Sequence, residues 1–154
     1  MIMILTQILQ PTCIKAPLAT RHKEDAIEEL INLLADNGQL DGRGEALEAV
    51  LAREQTRSTG IGSGIAIPHG KCTAAKELVM AIGIAAEPIE FDSIDNKPVS
   101  ILLLLVSPPD QTGPHIQALA RISRLMLDEQ FKSQLEKAAS PEEVYDLVST
   151  KEAE

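Results

Sequence analysis

The stretch Ser58-Thr59-Gly60-Ile61-Gly62-Ser63-Gly64-Ile65-Ala66-Ile67-Pro68-His69-Gly70-Lys71 sets glycine at three alternate positions. A short apolar run follows, then one histidine between a proline and a glycine. Glycine lets the backbone turn where a side chain would clash, and it brings bare N–H groups close to a ligand. Pro68 fixes its own φ and holds Ile67 extended, so the chain is stiff just before His69. A histidine at the stiff end of a strand is a candidate nucleophile or general base. Two phosphate-binding motifs fail against this stretch. A P-loop needs Gly, four residues, then Gly-Lys-Ser/Thr. Here five residues separate Gly64 from Gly70, and Cys72 stands where the hydroxyl should be. A dinucleotide fingerprint needs a strand, G-x-G-x-x-G and a helix in that order. The spacing of Gly60, Gly62 and Gly64 is wrong, and here a helical pattern comes before the glycines and a strand pattern after them.

Upstream, the apolar spacing of Ala26, Ile27, Leu30, Ile31, Leu33 and Leu34 predicts a helix from about Arg21 to Asn37, capped by Thr20 and ended by Gly38. Ala46, Leu47, Val50 and Leu51 predict a second, from about Arg43 to Arg53, capped by Asp41. Met1 to about Pro17 is apolar but irregular, with two prolines, and reads as a cover over the domain body. Downstream, Gly64 to Ile67 reads as a short strand, Leu78 to Ala85 as a second ending near Pro88, and Val99 to Val106 as the strongest, a buried central strand. Phe91 to Pro98 carries turn chemistry. A helix starts near Pro114 or His115 with Leu119, Ile122, Leu125 and Met126 on its apolar face. Gln130 to Ala139 continues as helix, and Ser140-Pro141-Glu142-Glu143 opens a last one through about Val148, leaving Lys151 to Glu154 as a frayed tail. This order predicts one α/β domain over residues 1–154, with a small mixed β-sheet flanked by helices.

Composition narrows the function. A chain of 154 residues with 44% apolar residues can bury a sizeable core. With only Phe91, Phe131 and Tyr145 as aromatics, that core is aliphatic and offers no base-stacking platform. A net charge of −9 opposes binding to nucleic acid or to an anionic membrane. It would suit a basic protein partner, but acidic surfaces also serve solubility alone. Cys13 and Cys72 form no C-x-x-C pair and read as reduced thiols in a cytoplasmic protein. The N-terminal apolar run is broken by Gln7, Gln10 and Pro11 and lacks a basic start, so no secretory signal is expected. The run Ile101 to Val106 is far too short to span a membrane.

Three histidines could carry chemistry. His22, in Arg21-His22-Lys23-Glu24, reads as a solvated helix residue. His69 follows an extended segment. His115 begins a helix just past the Val99–Val106 strand, so both histidines would share one sheet edge if their strands are parallel neighbours. Arg53, at the end of its helix, could clamp a phosphate bidentately, or it could simply complement the helix dipole. His69-x-x-Cys72 has no second cluster at ligand spacing, so no metal site is expected. A histidine with glycine N–H donors and basic neighbours suits an anion such as phosphate, carried on the histidine itself.

At these residues the chain resembles a known family. Ser58-Thr59-Gly60-x-Gly62-x-Gly64-Ile65-Ala66-Ile67-Pro68-His69-Gly70 closely resembles the signature of phosphotransferase-system enzyme IIA proteins of the fructose/mannitol type (type 2). The resemblance extends through Ile94-Asp95-Asn96-Lys97-Pro98-Val99 and Asp110-Gln111-Thr112-x-x-His115, covers about residues 5 to 150, and is most like the nitrogen-regulatory subtype. It implies a mixed sheet flanked by helices. It implies that His69 accepts a phosphoryl group from a phosphohistidine on a small phosphocarrier protein, with His115 and Arg53 as further active-site residues. Ser58, Thr59, Gly60 and Gly70 would form the phosphate environment. No ATP, magnesium or other cofactor is implied, because the donor is already a high-energy phosphohistidine. The absence of fused IIB and IIC parts favours a regulator whose phosphorylation alters binding to a transporter or sensor kinase. The alternative is a sugar-transport IIA that passes phosphate to a separate IIB for fructose or mannitol uptake. A third reading, from another class, is a metal- or small-molecule-binding module using His69, Cys72 and His115.

Overall fold

A computed structural model describes residues 3–154; Met1 and Ile2, the start of the predicted N-terminal cover, lie outside the described residues. The strand with the strongest apolar run organises everything else. It covers Val99–Ser107 and is the sixth strand, β6. The others are β1 (Leu9–Lys15), β2 (Gly60–Gly62), β3 (Ile65–Ala66), β4 (His69–Lys71) and β5 (Val79–Ile89). The sheet runs β1-β5-β6-β3-β2, and β4 continues the line of β3 along β6. β5 is antiparallel to β6, β2 is antiparallel to β3, and the remaining pairs are parallel, so the sheet is mixed as expected.

Alternation along β6 splits the core in two, because successive side chains of a strand point to opposite faces. Ile101, Leu103 and Leu105 join Met80 and Ile82 on one face. There they pack on α3 (Thr112–Leu125), α4 (Glu129–Glu136) and α5 (Pro141–Glu152), through Ala118, Ile122, Leu135 and Val148. Leu102, Leu104 and Val106 face α1 (Lys23–Asp36) and α2 (Arg43–Thr56), through Ile27, Leu30, Ile31, Leu34 and Val50. The result is an α/β/α layering whose core is almost wholly aliphatic.

Several expectations are corrected. The irregular N-terminal segment contains β1, parallel to β5, with a register break between Leu9 and Ile14 that hides its alternation. Thr20 does not cap α1: its hydroxyl and amide both donate to Glu29, and His22 stands at the cap without a side-chain bond. Asp41 does not cap α2. Gly42 holds that place, while the Asp41 carboxylate faces Lys76. The α2 helix runs three residues past Arg53 to Thr56. The glycine stretch, expected to lead into one strand, is a hairpin of β2 and β3 whose turn holds Gly62, Ser63 and Gly64 at φ of 99°, 58° and 81°. Glycine takes the angles of positions 62 and 64 without steric cost, and Ser63 falls in the small left-handed region open to other residues. β5 continues through Pro88. The C-terminal tail is not frayed: α5 reaches Glu152, whose side chain is 3% exposed. Its carboxylate accepts from the Leu5 and Thr6 amides and from Arg121. Ser140 caps α5 as expected, accepting from the Glu143 amide. Among the described residues no helix is long and apolar enough to cross a membrane.

Candidate active site

His69 opens β4 and stands opposite Leu105 of β6 in parallel register. Two residues beyond Leu105, β6 ends at Ser107, and a short loop leads into α3 with His115 in its first turn. Parallel pairing of β4 with β6 therefore carries both histidines to one edge of the sheet, where the sequence reading places them. The rings meet edge to face, with centroids 5.3 Å apart and planes 69° apart.

Each ring is held from behind through Nδ1. His69 Nδ1 lies 2.8 Å from the carbonyl oxygen of Ile67, which can only accept, so the ring proton sits on Nδ1. Ile67 is rigid at that point: Pro68 follows it, and its amide donates to the Thr59 carbonyl at 3.0 Å. His115 is 3% exposed, and its Nδ1 shares a 2.6 Å hydrogen bond with the buried Ser107 hydroxyl. Burial disfavours the imidazolium and lowers the His69 pKa below the usual histidine value, opposed by the Ile67 carbonyl and reinforced by the Arg53 cation. Burial, then the neighbouring His69 and Lys71, lowers His115 to about 4. Both rings are neutral at pH 7.

A pocket of about 360 Å³ opens beside His69, lined among others by Arg53, Arg57, Ser58, Thr59 and Gly60. Arg53 Nη1 donates to the Arg57 carbonyl at 2.8 Å, which leaves other guanidinium N–H groups for a ligand. The loop behind the pocket is held by Glu54, a residue not singled out from the sequence. Its side chain is 4% exposed and accepts from the Thr59 amide at 2.8 Å, the Thr59 hydroxyl at 2.5 Å and Lys23 Nζ at 3.0 Å. The Gly60 amide donates to Ser58 Oγ, and the Ser58 hydroxyl donates to the Phe91 carbonyl. The donors of Ser58, Thr59 and Gly60 that sequence reasoning offers to phosphate thus hold the loop, and the positive groups of the pocket are its arginines. Gly70 lies outside the lining: an added Cβ would meet Val50 of α2 at 3.1 Å, so this glycine serves helix–strand contact.

Cys72 is buried and its amide donates to the Ser107 carbonyl. Among the described residues no group of three or more His, Cys, Asp or Glu side chains is placed to hold a metal ion. Ser107, Glu54, Lys23 and Arg57 are the residues of this region that sequence reasoning passes over. An acidic residue on a helix beside an arginine reads as solvated surface, and a serine after an apolar run reads as the start of a loop.

Comparison with known proteins shows the family and the fold. Residues 7–151 match the model of the family described as "Phosphoenolpyruvate-dependent sugar phosphotransferase system, EIIA 2". The fructose-specific EIIA component of Haloferax volcanii is 38% identical over 92% of this chain and 90% of its own length. The nitrogen regulatory protein of Escherichia coli K12 is 36% identical over 96% of this chain and 91% of its own. The chain spans only 23% of another relative, the fructose-specific EIIABC component of Bacillus subtilis, at 32% identity. The crystal structure of the nitrogen regulatory protein IIA-Ntr of Neisseria meningitidis superposes with a TM-score of 0.84 at 32% identity, over 92% of this chain and 97% of that one.

Proposed function

The chain belongs to the EIIA 2 family of the phosphoenolpyruvate-dependent sugar phosphotransferase system, and from that premise we propose that His69 takes up a phosphoryl group from a phosphohistidine on a phosphocarrier protein. The observation that carries this reading is the 2.8 Å bond from His69 Nδ1 to the Ile67 carbonyl. With the proton on Nδ1, Nε2 keeps its lone pair and is the nucleophile. The Nε2–P bond forms as the N–P bond of the donor histidine breaks, and the bonding electrons leave with the donor imidazole. The ring of His69 becomes cationic in character, and the Ile67 carbonyl stabilises its Nδ1–H. Arg53 and Arg57 meet the phosphoryl oxygens of a loose, in-line transition state, with the His115 ring edge to face with that of His69 at 5.3 Å. The donor already holds the phosphoryl group at high energy, so the step needs no cofactor.

The output is regulatory in this reading: phosphorylated and free forms differ at the mouth of the pocket and bind a transporter or sensor kinase differently. The supporting observation is the 36% identity to a nitrogen regulatory protein across nearly the full length of both chains. A second reading, onward transfer to a IIB protein of a sugar permease, is favoured by the 38% identity to a fructose-specific EIIA of similar length. Under both readings the EIIA domain acts in the cytoplasm.

Intact-mass measurement after incubation with phosphoenolpyruvate, enzyme I and phosphocarrier protein tests the shared chemistry. One phosphoryl group is expected on the wild type and none on His69→Ala. No gain on the wild type, beside a control IIA that loads, overturns it. Chasing the loaded protein with fructose- or mannitol-type IIB separates the two outputs: retained phosphate supports the regulator, and discharge supports the transport component.

A further inference from the structure

Resting on that reading of His69, we infer that Ser107 is a positioning residue that locks His115 in the tautomer carrying its proton on Nε2, so that the second histidine presents an N–H donor to the phosphoryl group. The two rings then have complementary roles: a lone pair on His69 Nε2, and a hydrogen-bond donor on His115 Nε2.

The assignment follows from where the Ser107 proton can go. Ser107 is fully buried at the end of β6. Among the described residues its hydroxyl has one hydrogen-bond partner, His115 Nδ1 at 2.6 Å. If Nδ1 carried a proton and donated to Ser107 Oγ, the serine O–H would be left buried with no acceptor. Buried donors without acceptors are costly and rare. With the proton on His115 Nε2, the serine donates to Nδ1 and both groups are satisfied. Because the ring is neutral near pH 7, its one N–H is the Nε2–H, on the ring edge away from Ser107.

The backbone fixes Ser107 as firmly as the side chain. It pairs with Lys71 at the end of the β4–β6 ladder, and its carbonyl accepts from the Cys72 amide at 3.0 Å. The same short segments thus place His69, two residues before Lys71, and the serine that orients His115. The opposite tautomer would turn a lone pair toward the phosphoryl oxygens, which repels where the donor attracts. Fixing a histidine tautomer through the nitrogen remote from the reaction is an established use of an outer hydrogen bond.

Two measurements test this. Long-range 1H–15N correlation spectra of histidine-labelled wild type should show His115 as the neutral Nε2–H form, and a neutral Nδ1–H form would overturn the inference. Loading rates from phosphocarrier protein should fall roughly 10- to 100-fold in Ser107→Ala. Ser107→Ala should cost nothing further in a His115→Asn background, because the serine acts only through that ring. An unchanged rate in Ser107→Ala, or the same loss in both backgrounds, would overturn it. If the wild type takes up no phosphoryl group, the reading of His69 falls, and the tautomer spectrum alone decides the Ser107 assignment.

Discussion

The imidazoles of His69 and His115 meet edge to face with centroids 5.3 Å apart. Two positive rings at that distance, partly withdrawn from water, repel each other strongly, so the pair favours neutrality. Burial is the largest cause of the lowered pKa at both rings. A neutral His69 is what a nucleophile requires, so acid titration should switch the protein off. Phosphoryl acceptance is expected to hold steady from pH 8 to 7 and to fall about tenfold per pH unit once the His69 pKa is passed, below the ordinary value of about 6.5. An NMR titration of both rings checks the cause directly. A His69 midpoint at or above the ordinary histidine value would sink the prediction.

The same pair makes stability depend on pH. In the unfolded chain His115 binds a proton below about pH 6.5, whereas in the fold it does so only near 4. Between these values the unfolded state holds more protons, so stability falls as pH drops through that window and His115 contributes no further change below it. The full span is worth up to about 3 kcal/mol. Carboxylates also titrate there, so the comparison is with His115→Asn. Urea denaturation between pH 4 and 7 should give that variant a shallower loss than the wild type. Parallel curves would show that His115 ionises alike folded and unfolded.

Much of this architecture was legible in the sequence, and the exceptions share a physical cause. β6 announced itself because both of its faces are buried and its apolar run is unbroken. The His69 segment announced itself through Pro68 and the three glycines, whose backbone demands are local. β1 did not: Pro11 and Gln10 lie within it, and the shift of register after Leu9 breaks the alternation that marks a strand. The caps of α1 and α2 were misassigned because Thr20 and Asp41 have tertiary partners, Glu29 and Lys76, that no local pattern reveals. Both histidines and Arg53 could be singled out by residue type. Glu54 and Ser107 could not, since their roles come from burial and from partners on other elements.

Glu54 should prove far more costly to remove than a helix-surface glutamate. It is the shared acceptor for Lys23 and for both donors of Thr59. Glu54→Ala takes the counter-ion from a largely buried ammonium, which keeps only the Phe91 carbonyl at 3.2 Å, and leaves the buried Thr59 amide and hydroxyl without their acceptor, with an expected loss of about 3–5 kcal/mol. Glu54→Gln still accepts from Thr59 and should lose less, about 1–3 kcal/mol. Restoring part of the loss with Glu54→Gln/Lys23→Met would show that the unpaired ammonium is the cause. Chemical denaturation measures all three. A loss under 1 kcal/mol in Glu54→Ala, within the range of exposed ion pairs, would contradict the burial argument.

Gly60 carries a prediction of a different kind, because its constraint is space and not φ. An added Cβ would lie 2.3 Å from Ser93 Oγ and 3.0 Å from Ser93 Cα. Ser93 is buried, and its hydroxyl finds no hydrogen-bond partner among the described residues, so the hydroxyl itself can be given up. Gly60→Ala should destabilise by about 1–3 kcal/mol, as overpacking does, and should slow phosphoryl acceptance by displacing the β2 edge of the pocket. Ser93→Gly alone removes the obstructing side chain. In the double variant the Cβ contact with Ser93 Cα remains, so recovery should be partial. Denaturation and loading rate should recover together, since one backbone shift underlies both losses. Recovery of stability without recovery of rate would mean that Gly60 acts on the phosphoryl group directly and not through the position of its strand.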